Sequence, residues 1–144
     1  MKILILDDRI ESLEVISERL TDERFDVVKC TDIYEADDAW DAGGVWAIVT
    51  DLSLSTDGLT FDEKKKTAGA LLTGWIWLIY HICKGAKSEI LDRTIIFSEY
   101  IEHATSAIIK KKEFENIYAD VIKLNKSEDA LQELVKQLNL WRGN

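Results

Sequence analysis

Short aliphatic segments alternate with stretches of helical spacing along the whole chain, and this alternation constrains the fold more than any other feature. Continuous aliphatic runs of this length are typical of strands buried on both faces of a parallel sheet. Repeated strand and helix alternation favours βαβ units with right-handed crossovers. The sequence therefore predicts an α/β fold whose parallel sheet carries helices on both faces. The predicted strands are residues 3–6, 25–30, 45–50, 93–97 and 120–124.

The helices between these strands are indicated by apolar spacing and by capping residues. Ile10, Leu13, Ile16 and Leu20 recur at helical spacing after the first strand. A second helix is predicted to run to Trp40, with Thr31 or Asp32 as its N-cap. Further helices are predicted over 74–83, over 101–114, and after Ser127, which is a credible N-cap.

Length and composition suit one domain over residues 1–144, large enough to bury its own core. Cys30 and Cys83 have no CxxC or histidine-rich spacing, which favours two reduced thiols. The N-terminus, MKILILDD, lacks the features of a signal peptide, and the apolar run at 74–82 is too short to span a bilayer. We therefore expect a cytoplasmic protein with no membrane segment.

The formal net charge of −9 argues against nucleic acid as a direct partner, because duplex binding depends on clustered Lys and Arg. The lysine triplets at 64–66 and 110–112 are short and isolated. Such runs are usually solvated faces of loops or helices.

Residues 53–73 form the one irregular stretch, which is longer than most connections in compact domains. Its middle is too polar for a core, so we expect a surface insertion in the loop. A passive insertion and a lid or docking element are both open at this point.

Carboxylates lie where the predicted strands end. Asp7 and Asp8 follow the first strand, and Asp51 follows the third. Parallel sheets bind ligands at the carboxyl ends of their strands, so these side chains are expected to lie together. Like charges held close are unfavourable, and a divalent cation relieves that cost. Oxygen ligands in a partly hydrated site favour Mg²⁺ or Mn²⁺.

Together with Ser98 after the fourth strand and Lys123 near the end of the fifth, these residues make the sequence resemble the receiver domain of bacterial response regulators over nearly its full length. The motifs that carry the resemblance are LILDD, AIVTDLSL, TIIFSE and DVIK. The resemblance implies a flavodoxin-like, doubly wound five-stranded sheet of order 2-1-3-4-5.

The resemblance also implies a role for each site residue. Asp51 would accept a phosphoryl group, and Asp7 with Asp8 would bind Mg²⁺ together with Asp51 and the backbone carbonyl of Ser53. Ser98 would hydrogen-bond one phosphoryl oxygen, and Lys123 would pair with another. The phosphodonor would be a histidine kinase or phosphotransfer protein, and the output a downstream protein target.

The sequence departs from this family at the fifth strand. Leu124 stands where the family usually has a proline after its lysine, and Asp120 lies near the place of a common aromatic residue. Lys126 is the alternative site lysine. Lys123 is preferred because the preceding Val and Ile match the apolar approach to the family lysine, whereas Lys126 abuts the Ser127 cap.

The other departure lies in the loop after Asp51. Gly74 fits the glycine that opens the third helix in this family better than Gly58 does, which leaves roughly fifteen additional residues in the loop. Trp75, Trp77 and Tyr80 are expected in the core or on a helix face. His81 has no candidate partner and is assigned a structural role, and His103 is expected to be incidental although it follows the fourth strand.

Three functions fit these observations. The first is a stand-alone receiver that is phosphorylated on Asp51 and dephosphorylates itself, rather than a turnover enzyme. It would act through a protein partner or as an intermediate in a phosphorelay. The second is a receiver-like interaction module that works without phosphorylation, and the third is a Mg²⁺-dependent phosphatase. The third usually requires an Asp-x-Asp pair on the first strand, which LDDRI lacks.

Overall fold

The computed structural model describes residues 1–143, so Asn144, the last residue of the predicted domain, lies outside it. Within those residues, five parallel strands form one sheet in the order β2-β1-β3-β4-β5. This order confirms the doubly wound, flavodoxin-like arrangement. The strands are β1 (Lys2–Leu6), β2 (Asp26–Cys30), β3 (Val45–Thr50), β4 (Thr94–Ser98) and β5 (Ile122–Asn125).

Helical segments connect the strands and cover both faces of the sheet. A π-helical turn, Leu78–Ile82, continues α4, and a 3₁₀ turn, Glu89–Arg93, leads into β4. The α-helices are α1 (Ile10–Asp22), α2 (Ile33–Asp41), α3 (Phe61–Lys65), α4 (Thr73–Trp77), α5 (Ile101–Lys111), α6 (Glu115–Asp120) and α7 (Glu128–Arg142).

The core has two layers because successive strand residues point to opposite faces of the sheet. On β1, Leu4 packs in the layer that holds α2, α4 and α5, whereas Ile5 packs in the layer that holds α1 and α7. Trp75 and Trp77 are 1% and 0% exposed in the first layer, as predicted for core residues. Burial on both faces explains why the strands read as uninterrupted aliphatic runs.

Capping residues set several helix boundaries. The Asp32 side chain accepts a hydrogen bond from the Glu35 backbone N–H (2.8 Å), which selects Asp32 over Thr31 as the cap of α2. The Ser127 side chain accepts one from the Ala130 backbone N–H (3.0 Å), which confirms the predicted cap of α7. The helix predicted over 101–114 is wrong in its extent. It divides because Lys112 and Phe114 both have a positive φ, so α5 ends before them and α6 begins after them.

Residues 53–73, which the sequence predicts to be an insertion and which are called the insertion below, are more ordered than the predicted irregular loop. The insertion contains α3, whose start is fixed by a capping box between Thr60 and Glu63. Its polar middle is on the surface as predicted, but Leu54, Leu59 and Leu72 are buried in the first core layer. The insertion therefore packs onto the domain through its two ends.

His81 has partners, which corrects the prediction that none would be available. Its ring nitrogens contact carboxylates of Asp37 on α2 and Glu63 on α3. These partners are 44 and 18 residues away in the chain. Only the tertiary fold brings them together.

Both cysteines are buried free thiols. Burial raises the pKa of Cys30 to about 12, helped by the nearby Glu35 and Asp32 carboxylates, and it raises the pKa of Cys83 to about 11. Both therefore remain protonated at neutral pH. None of the helices among residues 1–143 has the length and apolar character needed to cross a bilayer.

Gly74 allows α4 to start directly against the end of β3. Its backbone N–H donates to the Leu52 carbonyl (3.0 Å). A Cβ built on Gly74 would lie 1.9 Å from the Asp51 carbonyl oxygen and 3.0 Å from the Thr50 hydroxyl. Only glycine fits so close an approach of two backbones, which accounts for its position at the start of the helix.

We predict that Gly74→Ala lowers the free energy of unfolding by about 2–3 kcal/mol, because the added methyl group must displace backbone rather than a flexible side chain. Chemical denaturation would measure the loss. Gly85→Ala is the matched control: an added Cβ there meets nothing within 4 Å, although φ is +82°. The control should cost only about 1 kcal/mol of left-handed strain. Equal losses in the two variants would contradict the steric explanation.

Candidate functional site

The site is built at the carboxyl edge of the sheet, where β1 and β3 end side by side. Leu6 pairs with Thr50 in the parallel register. The backbone N–H of Asp51 then donates to the Leu6 carbonyl (2.8 Å), and that of Asp7 donates to the Cys30 carbonyl (3.0 Å). These bonds extend the ladder by one residue and fix both aspartates at the edge.

Asp7, Asp8 and Asp51 form one acidic cluster. One carboxylate oxygen from each lies within 4.8 Å of the others. Asp7 and Asp51 are only 2% and 6% exposed, whereas Asp8 is exposed. Burial raises the pKa of Asp8, and the negative charges of Asp51 and Asp7 raise it further. The cluster thus favours a bound positive charge.

Lys126 supplies that charge. Its Nζ lies 2.6 Å from Asp51 Oδ2 and 2.8 Å from Asp7 Oδ2, and its side chain is 9% exposed. Burial alone lowers the pKa of this ammonium group. The hydrogen bonds that it donates to Asp51 and Asp7 outweigh burial, so the pKa is raised. Lys126 therefore remains charged and bridges the two buried carboxylates.

Lys123, the preferred site lysine, does not reach the acidic cluster. Its ammonium group donates to the backbone carbonyls of Tyr118 (2.6 Å) and Val121 (2.7 Å) and lies over the Tyr118 ring. The error arises from the strand boundary, since α6 extends to Asp120 and β5 ends at Asn125. Lys123 is therefore inside the strand, and Lys126 is the lysine that follows it.

The two serines predicted for the site lie at or just after the ends of two neighbouring strands. Ser98 is the last residue of β4 and is 0% exposed. Its Oγ accepts a hydrogen bond from the Tyr100 backbone N–H (3.3 Å), and its carbonyl oxygen accepts one from the Lys126 backbone N–H (3.1 Å). Ser53 lines a cleft of about 300 Å³ together with Asp8 and Asp51. Both serines thus lie at the same edge of the sheet as the acidic cluster.

Arg9 and Glu99 also border this cleft, and sequence reasoning missed both. The Arg9 guanidinium donates to Glu99 Oε1 (2.9 Å), so the pair joins the loop after β1 to the loop after β4. Both side chains are about half exposed, and exposed pairs contribute little to stability. Arg9 directly follows Asp8 and Glu99 directly follows Ser98, and this adjacency to predicted site residues could have indicated both.

The donor set fits a hard divalent cation. Oδ1 of Asp7 accepts from the Arg9 backbone N–H (2.9 Å), and Oδ1 of Asp51 accepts from that of Leu52 (2.7 Å). These bonds orient the two carboxylates and leave each Oδ2 directed at Lys126. Mg²⁺ needs only one or two carboxylates besides water, and the exposed Asp8 can serve as one of them. A cation there would share Asp7 and Asp51 with Lys126.

A larger cleft, of about 700 Å³, lies elsewhere, along α5, and His103 lines it with Leu71 and Lys110. It contains none of the acidic cluster. His103 is thus placed in a different cleft from the Asp51 carboxylate.

No protein-family model matches the chain, and no curated protein matches it. Solved structures do resemble it over nearly its whole length. The receiver domain of the Francisella response regulator 1452 aligns with a TM-score of 0.61 and 18% identity, over 96% of this chain and 93% of that one. Response regulator TrrA of Thermotoga maritima, in complex with Mg²⁺-BeF, aligns with a TM-score of 0.56 and 21% identity, over 95% and 97%.

Two further structures show the range of the resemblance. A chain in the co-crystal structure of the Saccharomyces cerevisiae phosphotransfer protein Ypd1 with the receiver domain of Ssk1 aligns with a TM-score of 0.57 and 16% identity, over 100% of this chain and 92% of that one. A designed Rossmann 2x3 protein also aligns, with a TM-score of 0.54 and 19% identity, over 99% and 92%. Likeness at this identity establishes the fold: the chain has the fold of response-regulator receiver domains.

Proposed function

We propose that this protein is a phosphate-accepting receiver of two-component signalling, with Asp51 as the acceptor. The observation that supports this most is the bridge from Lys126 Nζ to Asp51 (2.6 Å) and Asp7 (2.8 Å), beside Asp8, at the carboxyl edge of a receiver fold. The arrangement holds a carboxylate nucleophile, a fixed cation and additional oxygen ligands in one place. Phosphoryl transfer depends mainly on such positioning and charge neutralisation.

In the proposed reaction an Asp51 carboxylate oxygen forms an O–P bond while the P–N bond of a partner's phosphohistidine breaks. The leaving imidazole takes a proton from water. Lys126 remains charged throughout and pairs with a phosphoryl oxygen, the role that the sequence had assigned to Lys123. Water later breaks the acyl phosphate and returns the free carboxylate with inorganic phosphate.

Asp7, Asp8, Asp51 and the carbonyl of Ser53 would hold Mg²⁺. When bound, the ion supplies positive charge to the phosphoryl oxygens. Ser98 would donate its hydroxyl to another phosphoryl oxygen, because its buried Oγ lies at the end of β4 beside Lys126. In the unphosphorylated protein, the Ser98 Oγ accepts a hydrogen bond from the Tyr100 backbone N–H.

The partners that follow are a histidine kinase or phosphotransfer protein as donor and a protein target as output, in the cytoplasm. The complex of a structurally similar receiver with Ypd1 supports the first, and the Mg²⁺-BeF complex of TrrA supports the metal. The net charge of −9 supports output through protein rather than through direct contact with nucleic acid.

A second candidate is an interaction module that works without phosphorylation. The observation that favours it is that Lys126 already satisfies Asp7 and Asp51 with hydrogen bonds. In this reading the ion pair holds the edge of the sheet in one state.

Incubation with acetyl phosphate and Mg²⁺ distinguishes the two functions. We expect the intact protein to gain one phosphoryl mass, located on Asp51 by peptide mapping, and Asp51→Asn to stay folded and gain none. The absence of an adduct in the wild type, with acetyl phosphate still intact, would support the interaction module. Consumption of acetyl phosphate without an adduct would instead indicate a phosphatase.

We predict that Lys126→Ala slows phosphorylation of Asp51 by roughly 100-fold, because it removes the fixed cation beside the nucleophile. Lys123→Ala is the matched control, since it removes a lysine three residues away that bonds only to backbone carbonyls and the Tyr118 ring. The control should phosphorylate at close to the parent rate. The reverse order would return the role to Lys123.

We predict that Asp8→Ala abolishes calorimetrically detectable Mg²⁺ binding, because the cluster loses the carboxylate that Lys126 does not occupy. Asp57→Ala, an exposed aspartate in the insertion, should leave binding unchanged. Unchanged affinity in Asp8→Ala would disprove the metal assignment.

A further inference from the structure

His81 lies between two carboxylates contributed by different helices. Its Nδ1 is 3.0 Å from both Oδ1 and Oδ2 of Asp37 on α2, and its Nε2 is 2.9 Å from Oε1 of Glu63 on α3. The His81 and Glu63 side chains are 18% and 15% exposed. The contact is thus shielded from water more than an ordinary surface ion pair.

The geometry defines the protonation state of the ring. Ionised carboxylates only accept hydrogen bonds, so both ring nitrogens must donate for both contacts to be made. A neutral imidazole has one donor and would turn a lone pair towards one carboxylate. The arrangement therefore suits the imidazolium form, with one ion pair on each side.

The carboxylates are themselves held in place. Asp37 Oδ1 also accepts from the Trp77 indole N–H (2.9 Å), and Trp77 is fully buried. Glu63 Oε1 also accepts from the Thr60 backbone N–H (2.8 Å) as part of the capping box. His81 thereby links the core at Trp77 to the first turn of α3.

The part of the insertion held by this link, residues 60–66, has no buried side chain, although Leu59 before it and Thr67 after it are buried. Ala68, Gly69 and Ala70, which follow α3, all have positive φ (53°, 68° and 74°), a conformation that costs about 1–2 kcal/mol for each alanine. The other polar links of the segment, Lys66 to Glu113 (3.5 Å) and Lys111 to the Lys66 carbonyl (2.8 Å), are exposed.

We propose that His81 is a proton-dependent clamp that fastens the insertion, residues 53–73, onto α2 and the π-helical turn after α4, so that the order of the insertion beside Asp51 depends on pH. The insertion leaves the sheet two residues after Asp51, and it returns at Gly74, whose backbone lies against the Asp51 carbonyl. Release of the clamp would loosen the segment that borders the acidic cleft. This inference does not require that Asp51 be phosphorylated.

The direction of the pH effect follows from the contacts. Burial lowers the pKa of His81, but the hydrogen bonds that it donates to Glu63 and Asp37 outweigh burial, so the pKa rises above the ordinary 6.5. Burial opposes the change in Glu63, yet its bonds from Thr60 and His81 lower the pKa of that carboxyl. The clamp is thus fully present below about pH 6.5 and is lost as the pH rises through the raised pKa of His81.

Two neighbouring side chains have pKa values that are shifted upwards. Burial, with the Glu113 carboxylate, raises the pKa of Tyr80, which is next to His81 on the same helical segment. Burial raises the pKa of Cys83 to about 11. Asp37 faces the ring from α2 and Glu63 from α3, and Lys66 with Glu113 lies beyond Tyr80. Because the pKa values of Tyr80 and Cys83 move away from the ordinary imidazole range, those two side chains would not mimic a titration of His81.

Proton NMR can test the ionisation directly, because the chain has two histidines and so two sets of imidazole resonances. His103→Gln assigns them. We expect the His81 ring to titrate above 6.5 in the otherwise unchanged protein. An apparent pKa at or below 6.5 would overturn the clamp, and this result does not depend on how any His81 variant folds.

Hydrogen exchange tests the consequence. After correction for intrinsic exchange rates, we expect protection of the amides in residues 60–67 to fall roughly tenfold between about pH 6 and about pH 9. His81→Gln should have low protection at both values, and Glu63→Gln should behave in the same way. His103→Gln should retain the parent profile. Protection that is independent of pH in the parent, or unchanged in His81→Gln, would overturn the proposal.

Discussion

Three carboxylates at one edge of a parallel sheet need a positive charge, and the position of Lys126 provides it. The lysine is placed by backbone pairing rather than by its own side chain, because its N–H donates to the Ser98 carbonyl directly after the last residue of β5. That bond sets the ammonium group 2.6 Å from Asp51. The burial of Asp7 and Asp51 is tolerable only with this partner, since removal of one member of a buried pair leaves an uncompensated charge.

The backbone of Asp51 constrains the fold as much as its side chain does. Its N–H extends the ladder to Leu6, and its carbonyl accepts from the Thr50 hydroxyl (2.8 Å) and faces Gly74. The two ends of the insertion are thereby fixed close together at one point of the sheet. Additional residues between them lengthen the loop without altering the register of any strand, because the entropy cost of loop closure grows slowly with length.

The sheet could be predicted from sequence because burial on both faces imposes uninterrupted aliphatic runs, and β3 was predicted with its observed bounds. The site lysine could not be placed. Lys123 follows Ile122, and Lys126 stands only three residues further along. The choice between them depends on where β5 starts and ends, which α6 and the pairing to β4 determine. The partners of His81 were equally inaccessible, since α2, α3 and the π-helical turn after α4 meet only in the folded chain.

The structure neutralises carboxylate clusters in two places with cations of different kinds. Lys126 carries a charge whose pKa is raised from an already basic value, so the edge that holds Asp7 and Asp51 keeps its charge balance throughout the neutral range. His81, between Asp37 and Glu63, is an imidazole, whose ordinary pKa is far below that of an ammonium group, so it can lose its proton at a pH at which Lys126 keeps its own. Because the insertion begins and ends beside Asp51, a change at the second cluster can alter access to the first while leaving its chemistry intact. The chain thus separates a charge that stays at the edge of the sheet from a charge that a change in pH can remove.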